Sequence, residues 1–198
     1  MQRDRASIPR VLPKTLNAEQ LDALLARPNI SAPTGLRNRA ILELLAGAGL
    51  RASEVCGVYL RDVDWQHSQL RVRPDVGKGG REAVLPLDDR TFGWLERWKP
   101  ERRHHAGKSP WLFVTLKGTQ LDRRYIWEMV SRYARKAGIE DRVWPHMLRH
   151  TFGTELLRDG FDLREVQTLM RHSDIRTTVI YTHVSPEALG RKVKGRRR

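Results

Sequence analysis

Apolar residues follow a helical repeat along most of this chain, and the pattern changes most clearly between Gln69 and Leu87. There Leu70 and Val72 on one side, and Val84, Leu85 and Leu87 on the other, flank Gly77, Gly79 and Gly80 as strands flank a turn. Such a layout folds as helices around a small β-hairpin or three-stranded sheet, so the expected class is mainly α with a small antiparallel β-sheet. Elsewhere Leu21, Leu24 and Leu25 follow Asn17 at helical spacing and predict a capped helix over 18–26. The dense set Ile41, Leu42, Leu44 and Leu45 predicts a largely buried helix over 36–47, ended by Gly47 and Gly49. Further helices are expected at 52–60, 91–98, 122–137, 146–158, 162–171 and 175–183, with a short one from Pro186. The polar stretch 99–110 reads as a surface loop, and 111–115 as a short strand.

Charge narrows the partners. The 37 Lys and Arg against 23 Asp and Glu leave a net +14 on 198 residues, the balance of a polyanion binder. Nucleic acid fits this surplus better than an anionic membrane does, because the most apolar stretch, 41–50, is too short to span a bilayer and contains Glu43. The N-terminal stretch has no continuous apolar run of the kind a secretory signal needs, so the cytoplasm is the expected location. A single cysteine, Cys56, excludes an internal disulfide framework and a Cys-rich zinc site. The length suits one main domain over 14–186, preceded by a basic, proline-containing arm at 1–13 and followed by a basic tail at 187–198.

The chemistry is concentrated in a few short motifs. They are Gly49-Leu-Arg51-Ala-Ser-Glu54, Gly77-Lys78-Gly79, His146-Met-Leu-Arg149-His150, His172-Ser-Asp and Tyr181-Thr-His183. In order and separation these resemble the tyrosine recombinases, the phage integrase family, over roughly residues 12–186. Each motif alone is weak, since HxxR and GKG recur by chance; six matching positions in the right order are specific. The resemblance implies the catalytic-domain fold of that family and an enzyme that cuts and rejoins DNA through a covalent phosphotyrosyl bond. It implies no cofactor and no metal, because that bond keeps the energy of the broken phosphodiester. It also implies double-stranded DNA as substrate and a homotetramer assembled on two DNA sites.

Physical chemistry accounts for the residue types. Attack on a phosphodiester gathers negative charge on a five-coordinate phosphorus, and a site without a metal must supply fixed cationic donors. By resemblance Arg51 and Arg149 are the paired clamps, each guanidinium able to grip two phosphoryl oxygens. His146, three residues before Arg149, projects from the same helical face and takes an acid, base or donor role. Tyr181 is the implied nucleophile, its phenol ordinarily protonated below a pKa of about 10. Lys78, on a glycine-flanked hairpin tip, would protonate the departing 5′ oxygen. His172 resembles a further phosphate donor, and Glu54 would position the basic side chains around it. In the tail, Arg191, Lys192 and Lys194 are candidate DNA contacts.

Each residue also has an ordinary reading: surface cations for the arginines and lysines, interior histidines, a core tyrosine. His150 and His183 keep that reading, the first as a buried helix residue. Two other functions compete with recombination. One is a catalytically silent DNA-binding remnant, and the other a type IB topoisomerase-like enzyme that relaxes supercoils. Two departures from the family stand out. The chain begins almost where the catalytic domain of the family begins, so the N-terminal core-binding domain is expected to be absent. Arg171 stands before His172, where the family commonly has glycine.

Overall fold

The helix without a polar face lies at the centre of the molecule. In the computed structural model, which describes residues 14–73, 82–171 and 186–196, helix α2 (Pro33–Gly47) buries Ala40, Ile41, Leu42, Leu44, Leu45 and Ala46, so neighbours cover it all round. It is preceded by α1 (Ala18–Leu25), which starts in a capping box. Asn17 Oδ1 accepts from the Gln20 N–H at 2.8 Å, and Gln20 Oε1 accepts from the Asn17 N–H at 3.1 Å. After α2 come α3 (Ala52–Gly57), a 3-10 turn (Leu60–Asp62) and three strands: β1 (Val63–Asp64), β2 (Gln69–Val72) and β3 (Ala83–Pro86). The strands form one antiparallel sheet in the order β1-β2-β3, with Leu70 paired to both Val63 and Leu85. Helices α4 (Asp89–Ala106), α5 (Arg123–Lys136), α6 (Pro145–Arg158), α7 (Leu163–Met170) and α8 (Pro186–Lys194) complete the described elements. The class is therefore the one expected, mainly helical with a small antiparallel sheet.

Three local expectations are corrected. The stretch 99–110 is not a loop throughout, because α4 continues past Pro100 to Ala106 before Gly107, with φ +52, ends it. Contacts outside the helix outweigh the proline: Arg102 donates Nε to Trp111 O at 2.8 Å and Nη2 to Ser109 O at 2.6 Å, and Trp98 Nε1 donates to Leu112 O at 2.9 Å. Residues 111–115 form only isolated bridges, Tyr59 with Trp111 and Val114 with Gln120. The helix expected over 52–60 ends at Gly57 and yields to the 3-10 turn. Cys56 is buried in α3, where burial, then Asp122, pushes its thiol up to about 12, so it packs rather than reacts.

The apolar interior divides in two. The larger cluster surrounds α2; the smaller joins Phe152 and Leu156 of α6, Phe161, Val166, Leu169 and Met170 of the α7 region, and Leu189 and Val193 of α8. Gly153 allows α7 to come close, since a Cβ there would stand 2.6 Å from Met170 Sδ. The C-terminal basic stretch thus starts as a helix seated on the domain. Lys192 pairs with Glu165 at 2.6 Å, and Arg196 with Asp159 at 2.6 Å. Among the described residues no helix is long and apolar enough to cross a membrane.

Candidate active site

The turn that leaves α2 and the end of α7 meet on one arginine. Arg149, on α6 and 2% exposed, donates one Nη to the carbonyl of Gly49 and the other to the carbonyl of Met170. Gly49 has φ +59, a left-handed conformation that glycine adopts without strain, and this aims its carbonyl at the guanidinium. One side chain therefore ties together three segments that are distant in sequence.

Arg51 follows Gly49 by two residues and precedes α3. Its backbone N–H donates to Glu54 Oε2 at 2.7 Å and its Nη1 to Glu54 Oε1 at 2.8 Å. The Arg51 side chain is 31% exposed, so this guanidinium has one edge on the carboxylate and access to solvent. Glu54 holds a second cation: Arg171 Nη2 donates to its Oε2 at 2.6 Å. Arg171 reaches it from the left-handed position that ends α7, with φ 51 and ψ 48. This is the place where the resemblance led to glycine being expected, and the arginine here adopts a left-handed conformation of the kind glycine favours.

These groups act on one another. Burial raises the Glu54 carboxyl, but Arg171, the Arg51 backbone N–H, the Arg51 charge and Arg149 outweigh it and leave the pKa below the usual value. Burial, with Arg171 and Arg51 next, pulls Arg149 down to about 9 against the pull of Glu54, and it remains cationic at neutral pH. His146 stands one helical turn from Arg149 and meets His150 edge-on, ring centroids 5.2 Å apart. Burial, then His150, Arg149 and Arg51, lowers the His146 pKa; burial, then Arg149, lowers that of His150. Both imidazoles are thus neutral at pH 7, each able to accept a proton at one nitrogen and donate from the other. Expected imidazole titration midpoints in NMR lie below the ordinary 6.5 for both, and both move upward in Arg149→Ala as the neighbouring positive charge is removed. Midpoints unchanged by that substitution would separate the histidines from the arginine cluster.

The structure brings Arg51, Glu54, His146 and Arg149 together. His150, expected as a buried helix residue, is half-buried against His146. Lys78, His172 and Tyr181 lie outside the described residues, as does His183. Arg191, Lys192 and Lys194 lie on α8 and take no part in the arginine contacts; the first and last are exposed, and Lys192 is held by Glu165 and the Gly160 carbonyl. Three participants escaped the sequence reading. The carbonyls of Gly49 and Met170 carry no side-chain signature at all, and Arg171 was visible only as an unusual residue in a familiar place.

Comparison with known proteins identifies the family. The sequence profile of the phage integrase family matches residues 14–188. The chain is 42% identical over 188 residues to tyrosine recombinase XerD of Pseudomonas aeruginosa, covering 93% of this chain and 62% of that protein. It is 43% identical over 183 residues to XerD of Lacticaseibacillus casei, covering 90% of this chain and 61% of that one. The chain thus spans about three fifths of the length of these relatives. Among solved structures, XerA recombinase superposes with a TM-score of 0.76 at 33% identity, over 91% of this chain and 64% of that one. XerH site-specific recombinase, solved with its palindromic difH substrate in a post-cleavage complex, gives a TM-score of 0.70 at 28% identity, over 91% of this chain and 52% of that one. With a profile covering most of its length and an arginine cluster built from the expected motifs, the chain belongs to the phage integrase family.

Proposed function

We propose that this chain is the catalytic domain of a tyrosine-type site-specific DNA recombinase, working on double-stranded DNA in the cytoplasm as part of a homotetramer. The observation that supports this reading is an excess of positive charge among the described residues: three guanidiniums, Arg51, Arg149 and Arg171, act on one carboxylate, Glu54, a group suited to an added anion. A DNA phosphodiester supplies that charge, and Arg51 has the exposed edge that would receive it.

In the proposed reaction the Tyr181 oxygen attacks the phosphorus, the Tyr–O–P bond forms and the P–O5′ bond breaks. The phenol proton passes to a basic group, for which His146 is the candidate. The departing 5′ oxygen takes a proton from Lys78. Arg51, Arg149 and His172 hold the phosphoryl oxygens, and Glu54 orients the arginines. Attack by the 5′ hydroxyl of a partner strand then reverses these steps, releases Tyr181 and completes the exchange. Arg191, Lys192 and Lys194 would add contacts to the DNA backbone.

The test is a nicked suicide substrate carrying the cognate site, followed on a denaturing gel. A covalent protein–DNA adduct is expected with the intact chain and none with Tyr181→Phe. The same adduct level in both would remove Tyr181 from the reaction, and no adduct from the intact chain would return the DNA-binding remnant. Relaxation of supercoiled plasmid without partner sites would favour the topoisomerase-like enzyme.

A further inference from the structure

We infer that Arg171 is a positioning residue that neutralises Glu54 so that Arg51 can leave the carboxylate for the phosphate. The inference deepens the recombinase reading and rests on it for the identity of that phosphate.

The two oxygens of Glu54 are shared unequally. Oε2 accepts from Arg171 Nη2 at 2.6 Å and from the Arg51 backbone N–H at 2.7 Å, while Oε1 alone holds the Arg51 side chain, at 2.8 Å. The Arg171 side chain is 9% exposed and the Arg51 side chain 31%. One link is therefore buried and fixed, and the other open and exchangeable. Glu54 is itself only 8% exposed, and a buried carboxylate abandoned by its sole cation is strongly disfavoured. Without Arg171, Arg51 would be the one side-chain cation bonded to Glu54 among the described residues, with Arg149 acting only through its charge, and would be held in place. With Arg171 present, Glu54 keeps a partner when Arg51 turns to an entering phosphate, and the move becomes inexpensive.

The arrangement is not one that stability alone would select. Arg171 occupies a left-handed backbone position, φ 51, that side chains other than glycine rarely adopt. Its Nε is buried and bonds to nothing among the described residues. Strain, and a buried donor without a partner among the described residues, at a ring of cations are what a functional constraint leaves behind.

The experiment compares the intact 198-residue chain with Arg171→Gly, Arg171→Lys, Arg171→Gln, Glu54→Gln and the Glu54→Gln/Arg171→Gly pair. Inorganic phosphate is titrated against the Arg51 Nε–Hε NMR resonance, and the rate of adduct formation is measured at saturating suicide DNA. Arg171→Gly is expected to weaken phosphate binding at Arg51 by about tenfold, what one charge-assisted hydrogen bond amounts to, and to slow adduct formation by a similar factor. The concentration of DNA for half-saturation should change by less than about twofold, since affinity comes from many backbone contacts. Arg171→Lys should restore most of the loss. In the Glu54→Gln background Arg171→Gly should cost nothing further, because no carboxylate remains to detain Arg51. Arg171→Gln, which keeps most of the side-chain volume, carries the same expectation as Arg171→Gly if the glycine variant melts too early to titrate. Unchanged phosphate binding in Arg171→Gly and Arg171→Gln, or an equal loss with and without the Glu54 carboxylate, overturns the inference. Should the intact chain form no adduct at all, the recombinase reading falls, and the phosphate titration still decides the role of Arg171.

Discussion

Arg149→Ala should reduce single-turnover adduct formation by roughly 10²–10³-fold, while the melting temperature moves by only a few degrees. The loss of rate follows from the part such a donor takes: a fixed cation at a developing phosphoryl charge, in a site shielded from water, is worth about that factor when removed singly. The modest change in stability follows from opposed local effects. Deletion leaves the Gly49 and Met170 carbonyls without their donor, at about 1–3 kcal/mol for each buried group that finds no water. It also removes a buried cation that stands against Arg171 and Arg51. The sign of that second effect can be read from pH. Burial and the neighbouring arginines pull Arg149 down to about 9, well below the ordinary arginine range, so between about pH 9 and that range the unfolded chain binds more protons. Its charge therefore opposes folding below about pH 9, and the opposition fades as pH rises towards the ordinary arginine range. Arg149→Lys keeps the charge but cannot span two carbonyls with a planar fork, and should fall between the intact chain and alanine in rate. Adduct formation within tenfold of the intact chain in Arg149→Ala would show that the phosphate is held elsewhere.

How far the sequence foretold this site depends on what kind of atom was involved. Arg51, His146 and Arg149 could be named because a phosphate transition state calls for those side chains and because their motifs keep a recognisable order. Helix α6 was legible from its periodicity, and with it the shared face of His146 and Arg149. What fixes Arg149 was not legible, because a backbone carbonyl looks the same in every residue, and only the folded chain reveals that Gly49 and Met170 turn theirs to one guanidinium. Arg171 illustrates a second limit. The sequence showed only an arginine where the family commonly has glycine; the fold places it in the left-handed region, and its contribution is a long-range pair with Glu54. The extension of α4 past Pro100 has a similar cause. Composition favoured a loop, and the buried Arg102 and Trp98, bonded to Ser109, Trp111 and Leu112, held the helix instead.

Gly49→Ala should be the most damaging small substitution in this region, lowering stability by about 2–5 kcal/mol. Two separate costs add. At φ +59 an alanine Cβ crowds its own backbone, which amounts to about 1–2 kcal/mol. The new methyl would also stand 2.4 Å from Phe152 Cδ1, and the Phe152 ring, 2% exposed in the smaller apolar cluster, has little room to retreat, so overpacking adds about 1–3 kcal/mol. For a chain of this size the sum corresponds to a fall in melting temperature of roughly 4–20 °C. Activity should drop further than stability explains, because any shift of Phe152 or of the Gly49 carbonyl moves the acceptor of Arg149. The two costs can be separated. Adding Phe152→Leu to Gly49→Ala makes space for the methyl and should recover the packing part while leaving the backbone part, so the pair regains some of the lost melting temperature but not all. A Gly49→Ala variant that melts within about 2 °C of the intact chain would mean less than about 1 kcal/mol was lost, too little for a left-handed turn pressed against an aromatic ring. The turn that delivers Arg51 to Glu54 and a carbonyl to Arg149 would then owe its shape to something other than glycine.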